Sequence, residues 1–207
     1  METILIILVI LILWSIWGYF GSHVEQSDYT VVKKLKDYEI RSYPKHIIAE
    51  TTVLSDTYKD AINLGFSIVA GYIFGNNIKK EKIAMTAPVI EKEESSERIA
   101  MTAPVIVETN HKKRVISFGM PRSYTMETLP TPTDPRVKLH EVPAQKLAVL
   151  RFSWFRSEDR VQSTKNKLLN ILARDNMQVI GSPRYAGYNA PWTPPWMTRN
   201  EVLIEIK

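Results

Sequence analysis

The chain has 207 residues, a formal net charge of +5, 44% apolar and 24% charged residues, and no cysteine. This mixture is typical of a folded globular protein rather than a disordered one. The lack of cysteine excludes disulfides, thiolate metal sites and a cysteine nucleophile. Lysine and arginine are scattered along the sequence, so no basic stripe for nucleic acid is predicted.

The first feature in chain order is an uncharged apolar run at residues 4–20, ILIILVILILWSIWGYF. As a helix it would extend about 25 Å at ~1.5 Å per residue, close to the roughly 30 Å of a bilayer core. No lysine or arginine precedes the run and no A-x-A site follows it, which favours an uncleaved anchor over a signal peptide. We therefore predict a single-pass transmembrane helix within residues 1–22 and a linker over 23–30. The lysine cluster after the linker favours a cytoplasmic domain.

The next segment alternates between strand-like and helix-like patterns. YEIRSYP (38–44) and HIIAETTV (46–53) are rich in β-branched and aromatic residues, which favours strands. A helix capped by Ser55 or Asp56 is predicted to run to about Phe74, because its apolar residues recur at helical spacing. The first half of the domain is therefore predicted to place a helix after two strands.

The octapeptide IAMTAPVI occurs twice, at residues 83–90 and 99–106, and the charged segment EKEESSER separates the copies. Two identical apolar runs joined by a polar segment predict neighbouring strands connected by a solvated loop. Met85 and Met101 are predicted to pack in the core, and ligation of iron by their thioethers is the alternative. We interpret the repeat as structural rather than catalytic.

The second half of the domain repeats the pattern of the first. KLHEVPAQKLAVLRF (138–152) aligns with EIRSYPKHIIAETTV (39–53), and a second helix capped by Ser157 follows it. A loop rich in proline and tryptophan and a final strand close the chain within residues 185–207. The predicted fold class is α+β, with one domain over residues 31–207. Its two β-α-β-β halves are related by a pseudo-twofold axis and pack antiparallel sheet against two helices.

Several long motifs follow one another in the sequence: KIAMTAPVI, SERIAMTAPVI, ISFGMPRSYTMETLPTPTDPRVKLHEVPAQKLAVLRFS and YAGYNAPWTPPWMTRNEV. Together they resemble the SOUL haem-binding protein family, especially its bacterial members, over residues 29–207. The resemblance implies a distorted antiparallel β-barrel or two-sheet body with two helices. It also implies non-covalent, non-enzymatic binding of haem or a related tetrapyrrole in an exposed apolar groove.

The resemblance places one wall of this groove on the first helix of the domain and the other in the loop before the last strand. The cofactor-binding residues that it implies are Phe66, Val69, Ala70, Ile73, Tyr188, Trp192, Trp196 and Met197. Some members carry basic residues for the haem propionates and a histidine for the iron, but the matching positions here are Asn63, Gly71, Thr193 and Ser42. Axial ligation is therefore doubtful, and no metal-binding residue is predicted.

Other functions remain open at the level of the sequence. Related effector-binding proteins share the implied architecture and bind other apolar or cationic small molecules. The tryptophan-rich loop is equally compatible with a scaffold that binds a protein or a bilayer. No Ser-His-Asp order, nucleophile elbow or phosphate-binding loop is present in the sequence, so we predict a binding protein and no catalytic residue.

Overall fold

The computed structural model describes residues 2–20, 25–93, 112–190 and 192–207. Within these ranges it has three α-helices and a short 3-10 helix: α1 (Glu2–Phe20), α2 (Tyr58–Ile73), α3 (Glu158–Arg174) and Pro195–Met197. The strands are β1 (Glu25–Gln26), β2 (Thr30–Lys34), β3 (Glu39–Tyr43), β4 (His46–Ser55), β5 (Thr86–Ala87), β6 (Val89–Glu93), β7 (Lys112–Gly119), β8 (Lys138–Val142), β9 (Gln145–Phe152), β10 (Arg184–Gly187) and β11 (Asn200–Glu205).

One antiparallel sheet contains nine of the described strands in the order β2-β3-β9-β11-β10-β6-β7-β4-β8. Strands β1 and β5 form a separate parallel pair. The fold class is α+β, as predicted. The predicted β-barrel is wrong, because the sheet ends at β2 and β8 and these two described edge strands are not hydrogen-bonded to each other.

The sheet must nevertheless be strongly curved. Strands β3 and β4 are six positions apart in the sheet, yet only Pro44 and Lys45 separate them in sequence. In a flat sheet, six spacings of about 4.8 Å would place these strands ~29 Å apart, whereas a two-residue link spans roughly 10 Å. The two-residue link between β8 and β9 imposes the same constraint. Curvature without closure explains why the sequence motifs resemble those of a distorted barrel.

The strand order reflects the internal repeat. Each strand of the first half has a counterpart in the second half: β3 corresponds to β8, β4 to β9, β6 to β10 and β7 to β11. The eight strands from β3 to β8 are arranged symmetrically, because replacing each strand by its counterpart gives the same order read from the other end. The central pair of this arrangement is β6 and β10. Each half of the chain pairs its first strand with the other half, since β3 pairs with β9 and β8 with β4. The two halves therefore form one sheet rather than two subdomains.

Helices α2 and α3 cover one face of the sheet, each over its own apolar cluster. Helix α2 begins after Thr57, whose Oγ1 accepts the Asp60 N–H at 3.1 Å, so the cap lies one or two residues later than predicted. It packs against β4 and β7 so closely that a β-carbon on Gly65 would lie 2.6 Å from Ile116 Cδ1. Helix α3 begins after Ser157, as predicted, and packs on β9 and β11.

The first copy of the octapeptide contributes to two strands. Val89 and Ile90 begin β6, which pairs with β7 on one side and β10 on the other. The predicted partner strand, at residues 99–106, lies outside the described residues, as does Met101. Met85 is half-buried and packs against the apolar cluster beneath α2, as the packing interpretation predicted.

Helix α1 corrects the prediction for the N-terminus. No helix within the described residues combines the length and the apolar character required to cross a bilayer. The predicted transmembrane anchor, single-pass membrane localisation and membrane partner are therefore wrong. Trp14 contacts the domain instead: its Nε1 donates to the Trp192 carbonyl oxygen at 2.9 Å, and its ring meets Trp196 edge-on, with centroids 5.3 Å apart.

Candidate functional site

A cleft of about 300 Å³ opens between α2, the loop after β9 and the loop before β11. We call it the α2 cleft. Val89 of β6 and Tyr185 and Gly187 of β10 contribute to it from the sheet, so it lies over the central strand pair. Its size is at the lower end of the range of about 300–1,000 Å³ found for small-molecule sites. It lies between the helix and the loop that the resemblance named as groove walls, and Phe66 is the one predicted residue that lines it.

The helix wall of the α2 cleft contains one of the four predicted helix residues. Phe66 lines the cleft and is half-buried, with its ring centroid 5.3 Å from that of Phe118. Val69, Ala70 and Ile73 are buried and do not line it. The physical reason is that the apolar residues of α2 lie on more than one face of the helix. The face with Val69 and Ile73 packs in the core beneath the helix and is therefore not available to the cleft.

The loop before β11 forms a second wall, but with side chains other than those predicted. Trp192 and Trp196 are 55% and 43% exposed, and both contact Trp14 of α1. Tyr188 is buried and donates from its hydroxyl to Glu201 Oε2 at 2.8 Å, and Met197 is half-buried in the 3-10 helix. None of these four residues lines the cleft. Intervening residues do: Ala190, Thr193, Pro195 and Thr198.

A third wall, which sequence reasoning missed, is the loop Ser153–Arg156. Trp154 has a backbone φ of +89°, in the left-handed region that bulky residues avoid. Its N–H donates to the Pro195 carbonyl and to Thr198 Oγ1, both at 3.0 Å, and its carbonyl accepts from Asn200 Nδ2 at 3.1 Å. These bonds join the two loops and maintain a backbone strain of about 1–3 kcal/mol. Strain of this kind clusters at functional sites.

Aromatic side chains project from this strained loop. The rings of Trp154 and Phe155 meet edge-to-face with centroids 5.9 Å apart, and about half or more of each side chain is exposed. Both line the α2 cleft together with Phe66 and Tyr185. Four aromatic residues from three separate elements therefore surround one opening, an arrangement suited to a flat apolar ligand.

Arg156 is the one charged residue among the described residues that line the α2 cleft. Its positive charge partly offsets the rise that burial causes in the pKa of Tyr185. It forms no salt bridge with any residue in the described ranges. The cleft therefore carries one positive charge and no carboxylate.

Thr193 is the second polar feature of the cleft. The residue is only 5% exposed, and its Oγ1 has no hydrogen-bond partner within the described part of the chain. A buried hydroxyl without a partner costs about 1–3 kcal/mol. Such a group at the wall of a cleft is suited to a hydrogen bond with a ligand.

A buried ion-pair cluster supports the same region of the sheet. Arg114 of β7 binds Glu91 Oε1 at 3.0 Å and Glu158 Oε1 at 2.7 Å, and its guanidinium lies 5.0 Å from the centroid of the Tyr58 ring. Burial and the charge of Glu91 raise the pKa of Tyr58. Glu91 pairs in register with Tyr185, so this cluster holds β6, β7 and α3 together beside the cleft.

Among the described residues, the histidines lie away from the cleft. No histidine is among the described residues that line it. His46 lies at the start of β4, with Nδ1 2.9 Å from the Pro44 carbonyl, and His140 lies 3.8 Å from Glu50. The described residues also contain no group of three or more His, Cys, Asp or Glu that could hold a metal ion.

A groove of about 340 Å³ that includes Ile48, Ile90 and Val115 is the main alternative site. We call it the opposite groove. Its described lining contains one histidine, His140, and no phenylalanine, tyrosine or tryptophan. Its charged residues are of both signs: Lys92, Arg184, Glu50, Glu141 and Glu205. Flat apolar ligands are therefore better matched by the α2 cleft.

Comparison with known proteins identifies the family. The sequence model described as "SOUL heme-binding protein" matches residues 24–96 and 90–205. The chain belongs to the SOUL haem-binding family. This SOUL chain is 31% identical to Heme-binding protein 2 of Homo sapiens over 155 residues, covering 74% of this chain and 71% of that protein. It is also 31% identical to Heme-binding protein 2 of Mus musculus over 179 residues, covering 82% of each. The resemblance predicted from the motifs is confirmed.

Solved structures share the fold of this SOUL chain at low sequence identity. The C-terminal domain of EcmrR has a TM-score of 0.59 at 11% identity, covering 86% of this chain and 98% of that chain. A structure described as a hydrolase from Listeria innocua has a TM-score of 0.52 at 9% identity, covering 85% and 94%. At this level of identity the similarity concerns the fold alone.

Proposed function

We propose that this SOUL family chain binds haem or a related tetrapyrrole non-covalently in the α2 cleft, as a binding protein and not as an enzyme. Membership of the family and two relatives named for haem binding support the ligand. The observation that carries the proposed location is the opening surrounded by Phe66, Trp154, Phe155 and Tyr185.

The size and chemistry of the α2 cleft determine how a tetrapyrrole would be held. A volume of about 300 Å³ is too small to enclose the whole macrocycle, so the ring would enter edge first and leave its far side in solvent. Affinity would come from apolar burial, at about 25 cal/mol per Å², and from aromatic contacts worth about 0.5–1.5 kcal/mol each. Because the described lining offers no histidine, methionine or cysteine, we expect a high-spin iron.

The tryptophans of the loop before β11 have an indirect role in this proposal. Trp192 and Trp196 lie on the side of the loop that contacts α1, whereas Thr193 and Pro195 line the cleft. Their contact with Trp14 would hold the loop in position, and the two tryptophans would not touch the ligand. The direct stacking surface would come from Trp154 and Phe66.

A cleft-blocking substitution tests the proposal. Asn63 is exposed on α2 and lines the cleft, so Asn63→Trp should fill the opening without disturbing the core. Lys59 is exposed on the same helix, one turn earlier, and does not line the cleft, so Lys59→Trp is the matched control. In haemin titrations of the full chain followed by Soret absorbance, Asn63→Trp should bind at least tenfold more weakly, a loss of about 1.4 kcal/mol.

Two results would contradict the proposal. Absence of any Soret change at micromolar haemin in the unmodified chain would show that tetrapyrrole binding is not its function. Equal haemin affinity for Asn63→Trp and Lys59→Trp would place the ligand outside the α2 cleft. Tight binding of a lipophilic phosphonium cation in place of haemin would instead favour a cationic small molecule as the ligand.

A further inference from the structure

We infer that the α2 cleft selects flat ligands that carry a carboxylate, and that Arg156 and Thr193 bind this group. The inference rests on the proposed function, because it specifies the class of ligand for the same cleft. It assigns the acid-binding role to the loop after β9, which the family resemblance did not place at the groove.

The charge of the cleft is the first observation. Arg156 gives the described lining one positive charge, and no aspartate or glutamate of that described lining balances it. An anionic ligand would be attracted, a cationic ligand repelled, and a neutral ligand would leave the guanidinium without an ion pair. Guanidinium groups bind carboxylates through two parallel N–H···O bonds, which fixes the orientation of the ligand as well as adding affinity.

The position of Arg156 is the second observation. Its loop is closed by the bonds of Trp154 to Pro195 and Thr198 and by Arg160 Nη1, which donates to the Ser153 carbonyl at 3.1 Å. Arg156 directly follows the aromatic pair Trp154–Phe155, so its stem begins at the edge of the stacking surface. A ring stacked on Trp154 would thus bring a peripheral acid group within reach of the guanidinium, as far as the flexible arginine stem allows.

The hydroxyl of Thr193 is the third observation. It lies on the loop before β11, buried at the wall of the cleft and without a hydrogen-bond partner within the described part of the chain. A buried polar atom without a partner is rare in folded proteins and requires a physical explanation. A ligand oxygen would satisfy it, and a carboxylate would accept the hydroxyl proton while its other oxygen faces Arg156.

The experiment compares deuteroporphyrin IX, which has two carboxylates, with its dimethyl ester, which has none, in the same dilute detergent. Arg156→Gln is the test variant, and Arg151→Gln, an exposed arginine on β9 that does not line the cleft, is the matched control. Arg156→Gln should lower the affinity for deuteroporphyrin IX about five- to tenfold and leave the affinity for the dimethyl ester unchanged. Arg151→Gln should alter neither affinity. The tenfold limit corresponds to about 1.4 kcal/mol.

Thr193→Val provides a second readout. Valine replaces the hydroxyl with a methyl group of similar volume, so the variant should unfold at the same or a higher urea concentration than the parent chain without ligand. Its affinity for deuteroporphyrin should nevertheless fall about three- to fivefold, with no change for the ester. A purely structural role for Thr193 would not combine retained stability with a loss that is specific for the acid.

The outcomes separate the inference from the proposed function. If the unmodified chain binds the ester as tightly as the acid, or if Arg156→Gln and Arg151→Gln behave alike, the inference is wrong and tetrapyrrole binding stands. If neither porphyrin binds the unmodified chain, both are wrong. Tighter binding of the acid that is lost in Arg156→Gln and weakened in Thr193→Val supports the inference.

Discussion

The strained backbone at Trp154 gives a sharp prediction about stability. At most positions alanine is more stable than glycine by about 0.4–1 kcal/mol, because glycine has more freedom in the unfolded chain. At a φ of +89°, an L-residue has a conformational cost of about 1–2 kcal/mol that glycine avoids. The two terms oppose each other and the conformational cost is the larger, so we expect Trp154→Gly to be more stable than Trp154→Ala by about 1 kcal/mol.

Trp154→Gly and Trp154→Ala both lose the contacts of the indole, so this loss cancels when their free energies of unfolding are compared. Urea unfolding of the full chain, followed by circular dichroism, measures that difference directly. Phe155 is the matched control, because it is adjacent and exposed but is not among the described residues with positive φ. At this position, Phe155→Ala should be more stable than Phe155→Gly. If Trp154→Ala were as stable as Trp154→Gly, the backbone at Trp154 would not be strained and the reasoning would fail.

Three further substitutions test other parts of the structure. Glu201→Gln should lower the free energy of unfolding by about 3–5 kcal/mol in urea titration, because it removes the fully buried carboxylate that pairs with both Arg41 and Arg199 at 2.8 Å and leaves Arg41 only the partly exposed Glu39; a loss below 1 kcal/mol would contradict this. Met85→Ala should cost about 1–2 kcal/mol, less than the ~2–5 expected for a fully buried methionine, because Met85 is half-buried. Unchanged stability of that variant with a lost haem spectrum would indicate iron ligation instead. His46→Ala should leave haemin affinity and spectrum unchanged, because His46 lies outside the α2 cleft, and loss of a low-spin spectrum would make it the iron ligand.

Local signals in the sequence predicted both helices of the domain and several of its strands. The cap at Ser157 was confirmed, and α2 ends at Ile73, next to the predicted Phe74. These features depend on residues within one or two turns, so the sequence contains them directly. The duplicated sequence pattern likewise indicated two similar halves, and the strand order of the sheet is symmetric between them.

Closure of the sheet was not predictable from such signals. Whether β2 and β8 pair depends on curvature accumulated over nine strands and not on the composition of either strand. The same limit applies to the helix wall, because Phe66, Val69 and Ile73 are all apolar and helical spacing does not reveal which face meets the sheet. Tertiary packing decided both points.

The wall formed by Trp154 and Arg156 was missed for a related reason. Its loop belongs to the cleft only because Trp154 bonds to Pro195 and Thr198, about 40 residues away in the chain. A positive φ at tryptophan has no sequence signature, since glycine or asparagine is the usual indicator of that conformation. One signal was available, namely an aromatic pair followed by arginine immediately before a helix cap.

The central claim is that a tetrapyrrole occupies the α2 cleft, and paramagnetic broadening by haemin tests it most directly. Ferric iron broadens the amide NMR signals of nearby residues in the ¹⁵N-labelled full chain. We predict that substoichiometric haemin removes the signals of Asn63, Trp154 and Gly187, which line the cleft, while those of Glu50 and Lys92 in the opposite groove persist. Loss of the Glu50 and Lys92 signals with those of Asn63 and Gly187 retained would contradict the account.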